Sequence, residues 1–198
     1  METKELILKK ALDMFAKSGY DSVSIRDIAK AVNIKESSIY YHFKNKQDIL
    51  DSLVEKFESH MKELTDMLQA SMSDSHNVNA FYWDWLREFY FEQYLFDTFC
   101  NQMMRFMMIE QFHNENMRML YERYLFELPH KIQTQSFMML SKLGILSEQQ
   151  AIKVGNDFFA SITMLTFKYL LNGKLTKTKK EAFSEETFTY INRMFQED

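Results

Sequence analysis

Apolar residues recur at helical spacing along nearly the whole chain. Ile7, Ala11, Met14 and Phe15 fall on one helical face and predict a first helix over 3–18. Gly19 suits its C-terminal cap, where a residue without Cβ closes the last turn. Ile25, Ile28, Ala29 and Val32 form a second, shorter face. Ser24 before it is a cap residue, whose hydroxyl accepts from a free N–H of the first turn. Asp27 places a negative charge at the positive end of that helix. Ala29 is small enough for another helix to cross close by. Asn33 then marks a turn, because asparagine tolerates the left-handed backbone, and Ile34 plugs the underside of that turn. Ile39 and Phe43 sit four apart and anchor a further short helix. Its outward positions are Lys35, Glu36, Ser37, Ser38, Tyr40, Tyr41 and His42.

Further on, Asn45 is placed to cap a long helix reaching about residue 70, with Ile49, Leu50, Leu53, Val54 and Phe57 inward. The polar stretch from Ser71 to Asn79 reads as a break. The segment 80–96 has aromatics on nearly every side, which predicts a central, buried helix. Met103, Met104, Met107 and Met108 ride on a helix over about 99–111, and another runs over about 114–143, kinked or divided by Pro129. Ser147 with Gln150 fits a capping box that opens a helix to about 171. A basic loop follows over 172–180, and Ser184 opens a last helix to about 196. The expected fold is all-α, with about nine helices and no internal repeat. One proline and four glycines in 198 residues support this, since β turns draw heavily on both.

Charge changes the picture by its distribution. The net charge is −4, yet residues 1–50 carry nine Lys/Arg against seven Asp/Glu, and residues 51–198 carry 15 against 21. The N-terminal end is mildly basic and the remainder acidic, a polarity that orients the first end toward an anionic partner. The single cysteine, Cys100, excludes a disulfide framework within the chain and suits a reducing cytoplasm. The start METKELILKK lacks the apolar core of a secretory leader. No stretch reaches 18 uninterrupted apolar residues, so no membrane span is expected. His42, His60, His76, His113 and His130 are scattered without metal-ligand spacing, and no phosphate loop, dinucleotide fingerprint or nucleophile elbow is present. The reading is therefore of a non-enzyme with no catalytic residue, metal or cofactor.

The segment Ser24–Phe43 is a helix-turn-helix by pattern, a device that places its second helix in the DNA major groove. Two short amphipathic helices also occur in helical proteins that never touch DNA. The run ILKKALDMFAKSGYDSVSIRDIAKAV followed by NIKESSIYYHFKNKQDIL resembles the N-terminal domain of the TetR/AcrR family of transcriptional regulators. Phe15, Gly19, Tyr20, Ser24, Ile28, Ala29, Ile39, Tyr40, His42, Phe43 and Lys46 carry the resemblance. Beyond about residue 55 the resemblance is architectural. The family commonly has glycine where Asn33 and Ser37 stand, and Ser or Thr where Lys35 stands, so the operator sequence is not transferable.

The resemblance implies a DNA-binding domain over 1–46 and an effector-binding and dimerisation domain over 47–198. Glu36, Ser37 and Tyr41 are candidate base readers, with Lys35 on a base or a phosphate and Ser38 on the same helix. Ser24, Tyr40, His42 and Lys46 are phosphate candidates by the family pattern, with core packing open for Tyr40 and an interhelical wedge open for His42. The C-terminal aromatic and methionine set, Trp85, Phe89, Tyr90, Met103, Met104, Met107 and Phe112, is a candidate effector lining or simply a filled core, and Trp83 and Tyr94 belong with it. Asp84, Glu88 and Glu92 would suit a cationic ligand or form a solvated face, while Arg105 would suit a carboxylate. Phe158, Phe159, Ile162, Leu165, Thr166 and Tyr169, with Phe188, Ile191 and Phe195, offer the last two helices as a homodimer interface on a palindromic operator. The expected function is a cytoplasmic repressor released by a small apolar or aromatic effector. A DNA-binding structural protein or activator without an effector is the alternative.

Overall fold

The computed structural model describes residues 2–74 and 86–194, and all regular structure among them is helical. In chain order the helices are α1 (Thr3–Ser18), α2 (Ile25–Val32), α3 (Glu36–His42), α4 (Lys46–Asp74), α5 (Leu86–Leu95), α6 (Thr98–Glu110), α7 (Glu115–Glu122), α8 (Leu128–Lys142), α9 (Glu148–Leu165) and α10 (Lys177–Met194). α5 is wound as a π-helix, and π-helical turns also occupy Arg123–Glu127, ahead of α8, and Thr166–Leu170, after α9. Trp83, Asp84, Trp85 and Phe195 lie outside the described residues, as does the Phe89 side chain.

The chain divides into two compact units, one of Met1–Ser73 with Gln102–Arg118 and the other of Asp74–Asn101 with Met119–Asp198. In the first, α1 buries Ile7, Leu8, Ala11, Leu12, Phe15 and Ala16, a wider face than the four positions expected, while Met14 is only half-buried. Phe15 stacks on Phe106 of α6 at 5.5 Å between ring centres. Gln102 donates to the Asp13 carboxylate at 3.2 Å. Apolar burial of this kind is worth roughly 1.5–3 kcal/mol for each large side chain, so α6 is as much a part of this core as α2 or α4.

In the second unit, α8 and α9 pack with Phe137 against Phe158 at 5.5 Å. Gly155 lies against this contact: a Cβ there would sit 3.4 Å from the Phe137 ring, at van der Waals distance. Phe183 of α10 stands edge-on to Phe91 of α5 at 5.2 Å. The buried Asn101 amide donates to the Leu170 carbonyl at 3.0 Å, at the end of the π-helical turn after α9.

The π-helical turn before α8 ends beside Pro129. The Leu128 N–H donates five residues back, to the Arg123 carbonyl. In the same register the next donor would be Pro129, which has no N–H. That donor would face the Tyr124 carbonyl, and the buried Tyr94 phenol donates to this carbonyl. Pro129 thus marks the helix irregularity as expected, but the wide turn precedes it.

Two other expectations are corrected. α4 continues through Asp74, into the polar stretch read as a break. α10 begins at Lys177, seven residues before Ser184, because Thr176 supplies the cap: its hydroxyl accepts from the Lys179 N–H at 3.3 Å.

Candidate nucleic-acid interface

The helix-turn-helix is α2, a turn and α3. The Ser24 hydroxyl accepts from the Asp27 N–H at 3.2 Å while the Asp27 carboxylate accepts from the Ser24 N–H at 3.0 Å, which completes a capping box. The Ser24 hydroxyl also donates to the Asp27 carboxylate at 2.5 Å, and this bond, followed by the one from the Ser24 N–H, holds the Asp27 carboxyl below the usual carboxylate range. Asn33 takes the left-handed conformation, φ 59° and ψ 46°, and its N–H returns to the last turn of α2. α3 starts at Lys35 without any side-chain cap, as the departure from the family's Ser or Thr implies.

α3 is fixed from one side only. Ile39 and the following Phe43 are buried, whereas Lys35, Glu36, Ser37, Tyr40 and Tyr41 are exposed and Ser38 and His42 are half-buried. Tyr41 is 86% exposed, high for an aromatic in a folded domain. The exposure of Tyr40 rules out core packing. The His42 ring meets the Tyr41 ring edge-on at 5.1 Å, so these two side chains set each other's direction.

Lys46 is drawn into the loop between α1 and α2. Its ammonium donates to the carbonyls of Tyr20 at 2.9 Å and Val23 at 3.0 Å, and lies 4.0 Å from the centre of the Tyr20 ring. Two of its three donors are therefore committed within the chain. Tyr20 is further tied by its phenol to Gln47 at 3.3 Å and by its N–H to the Glu110 carboxylate at 2.7 Å. Burial, followed by the nearby charges of Asp21, Asp51 and Glu110, pushes its phenol up. At the start of α4, the Asn45 side chain accepts from the Asp48 N–H at 2.9 Å, and the Asp48 carboxylate accepts from the Lys44 N–H at 2.8 Å. The cap expected at Asn45 is thus present.

Sequence reasoning passed over Arg26. It is exposed, and its guanidinium lies 3.9 Å from the Glu36 carboxylate, linking the first turns of α2 and α3. Such an exposed pair stabilises by little, about 0–1 kcal/mol. Its position directly after Ser24 and Ile25, off the apolar face, was the available signal.

The candidate effector residues are divided between the two units. Met103, Met104 and Met107 are fully buried in the first compact unit, and Tyr90 is buried in the second. Phe112 is 81% exposed and lines no interior. Glu88 and Glu92 are exposed, and Arg105 is half-buried. On α9, Phe158, Ile162 and Leu165 are already buried within the single chain, as are Thr166 in the π-helical turn that follows and Ile191 on α10. The wide apolar face expected for association is therefore mostly used internally, and what α9 leaves exposed is Ile152 and Met164, with Phe159 half-buried between them.

Residues 7–53 match the family model described as bacterial regulatory proteins, tetR family. Among curated proteins, the chain is 36% identical over 94 residues to the biofilm operon icaADBC HTH-type negative transcriptional regulator IcaR of Staphylococcus aureus, covering 48% of this chain and 46% of that one. The IcaR of Staphylococcus epidermidis is 34% identical over 79 residues, 40% of this chain and 41% of the relative. The chain thus spans less than half the length of these relatives. Solved structures share the fold over nearly the full length. A TetR-family transcriptional regulator from Bordetella parapertussis gives a TM-score of 0.63 at 18% identity, covering 96% of this chain and 94% of the other. A transcriptional regulator from Saccharomonospora viridis in complex with choline gives 0.62 at 21% identity, covering 96% and 95%. The fatty acid degradation regulator FadR from Bacillus halodurans gives 0.61 at 17% identity, again covering 96% and 95%. With the capped helix-turn-helix and its matching residues in place, residues 7–53 are similar to the DNA-binding segment of the tetR family of bacterial regulatory proteins, and the rest of the chain shares the fold of such regulators.

Proposed function

We propose that the chain is a sequence-specific DNA-binding repressor, acting as a homodimer on a palindromic operator and released by a small apolar or aromatic effector. The observation that carries this reading is the one-sided anchoring of α3. Ile39 and Phe43 hold it to the core while Glu36, Ser37 and Tyr41 face outward, as base readers must. Lys35 and Ser38 flank them. Ser24, Tyr40, His42 and Lys46 form the phosphate-facing set, with Lys46 contributing its remaining donor and Arg26 joining from α2. Residues 1–46 read DNA in this scheme, and 47–198 carry effector binding and dimerisation.

Dimerisation uses the face of α9 that the single chain leaves open, Ile152, Phe159 and Met164, together with α10. Two-fold symmetry then sets the two recognition helices about 34–36 Å apart or somewhat more. Effector binding favours an arrangement whose helices no longer match successive grooves. The similarity to a negative regulator, IcaR, supports repression, and the choline complex of a structural neighbour supports small-molecule control. No described helix is long and apolar enough to cross a membrane, which supports action in the cytoplasm, where the DNA is. One observation favours the alternative of a regulator without an effector: Met103, Met104 and Met107 are packed as in a filled core.

Footprinting on the DNA around the chain's own gene, at two salt concentrations, tests the reading. A protected palindrome that weakens with salt upholds it. Salt-sensitive binding without a preferred sequence overturns it.

A further inference from the structure

Gln133 lies in the interior of the second compact unit with 1% of its surface exposed. Neither its amide oxygen nor its amide nitrogen has a hydrogen-bond partner. A buried amide left this way is costly, and native cores contain few of them. Its surroundings are not an ordinary core either. Burial pushes the Tyr90 phenol up, and the Gln133 amide beside it offsets a smaller part, a polar contact that falls short of hydrogen-bond geometry. Tyr90 and its ring neighbour Tyr94, 5.9 Å away, sit on the π-helical α5, and the π-helical turn Arg123–Glu127 runs into the helix that carries Gln133. Widened turns of this type gather at functional sites.

We infer that the Gln133 amide, with the Tyr90 phenol beside it, is the polar anchor of an effector site inside this unit, and that it selects an uncharged ligand. The ligand class is an aromatic or aliphatic body bearing an amide or lactam, which offers a donor to the Gln133 oxygen and an acceptor to its nitrogen. The inference rests on the reading of the chain as an effector-released regulator. Charge decides the class. Among the described residues of this unit no Asp, Glu, Lys or Arg is buried. A charged ligand would leave water without meeting an opposite charge, which is far more costly than burying a neutral amide that finds both partners. Among the described residues, the tyrosine faces and the Gln133 oxygen are features a cation would find attractive, and the amidinium probe exposes that preference.

The probes are 2-naphthamide, 2-naphthoate and protonated 2-naphthamidine, which share a shape and differ in charge. Calorimetric titration of the full chain is expected to show the amide binding at least tenfold tighter than either ion. Gln133→Met is expected to abolish that preference and to raise the melting temperature of the free protein, since two unsatisfied polar atoms leave the core. Gln133→Glu, of nearly unchanged shape, is expected to shift preference toward the amidinium. Binding of none of the three probes, tighter binding of an ion to the unaltered chain, or a lower melting temperature for Gln133→Met would each overturn the assignment. Footprinting of the same preparations keeps the two readings separate. Operator protection that persists while the amide fails to bind removes the anchor and leaves the regulator. Amide binding that leaves the footprint unchanged upholds the anchor and removes effector control.

Discussion

The Glu110 carboxylate accepts the Tyr20 backbone N–H at 2.7 Å, although 90 residues separate them and Glu110 is only 7% exposed. This bond ties the end of α6 to the loop that also receives the Lys46 ammonium. Glu110→Ala leaves the Tyr20 N–H without its partner and is expected to cost about 1–3 kcal/mol in urea unfolding. Glu110→Gln retains an acceptor oxygen and should lose less than half of that. Equal losses for the two variants would show that the carboxylate charge, not the acceptor, is what matters.

Gly19 is held against the same group. Its φ is +78°, and a Cβ would lie 2.9 Å from Glu110 Oε1 and 3.5 Å from Ile109 Cγ2. Gly19→Ala combines backbone strain with a close contact, so a loss of about 1–3 kcal/mol is expected. Glu110 is a flexible side chain, and the double variant with Glu110→Ala should relieve the contact but not the strain. Strictly additive losses in denaturation of the single and double variants would remove the contact from this account.

Ser24 and Asp27 give a prediction with a pH signature. Ser24→Ala removes the cap of α2 and is expected to cost about 1 kcal/mol at neutral pH. The Asp27 carboxyl is held below its ordinary value by the same hydrogen bonds. Its contribution is present above the unfolded carboxylate range and is lost as pH falls through the lower folded value. The stability gap between the unaltered chain and Ser24→Ala should therefore shrink below about pH 4. A gap constant from pH 7 to pH 3 would detach Asp27 from the cap.

Local chemistry made much of this fold legible in advance. Ser24 with Asp27, Asn33, and Ser147 with Gln150 act within three or four residues of themselves, and each does what its type allows. The elements that sequence did not disclose depend on distant partners. Lys46 finds carbonyls 26 and 23 residues away, and no spacing rule points a lysine at them. Gln133 did carry a signal: with Phe137 and Leu140 it shares one helical face, so a polar residue stands in an apolar row. How much of the apolar stripe on α9 stays open was not legible, because a stripe does not say which neighbour covers it, and here α8 and α10 cover most of it.

Tyr41 separates reading from folding. Its side chain is almost wholly exposed and anchors nothing, so Tyr41→Ala should change stability by no more than about 0.5 kcal/mol. On the operator it should lose roughly tenfold or more in affinity, while binding to unrelated DNA changes little. Lys35→Ala is the contrasting variant. If Lys35 meets a phosphate, it weakens all sequences alike and lowers the salt slope by about one. An unchanged slope with altered sequence preference would move Lys35 to the base-reading set.

The Tyr94 phenol and Pro129 are coupled through a single acceptor. Tyr94 donates to the Tyr124 carbonyl, which Pro129 has no N–H to satisfy. Tyr94→Phe removes that buried hydrogen bond and is expected to cost about 0.5–1.5 kcal/mol. Pro129→Ala supplies the missing donor, so the same Tyr94→Phe change made in that background should cost markedly less. The coupling read from the four-member cycle in denaturant unfolding should reach about 0.5–3 kcal/mol, the range for groups that share a partner. Additive losses would mean that the π-helical turn persists without Pro129 and that the phenol meets the Tyr124 carbonyl for reasons of its own. A large coupling makes the proline the cause of the turn and the tyrosine its compensation.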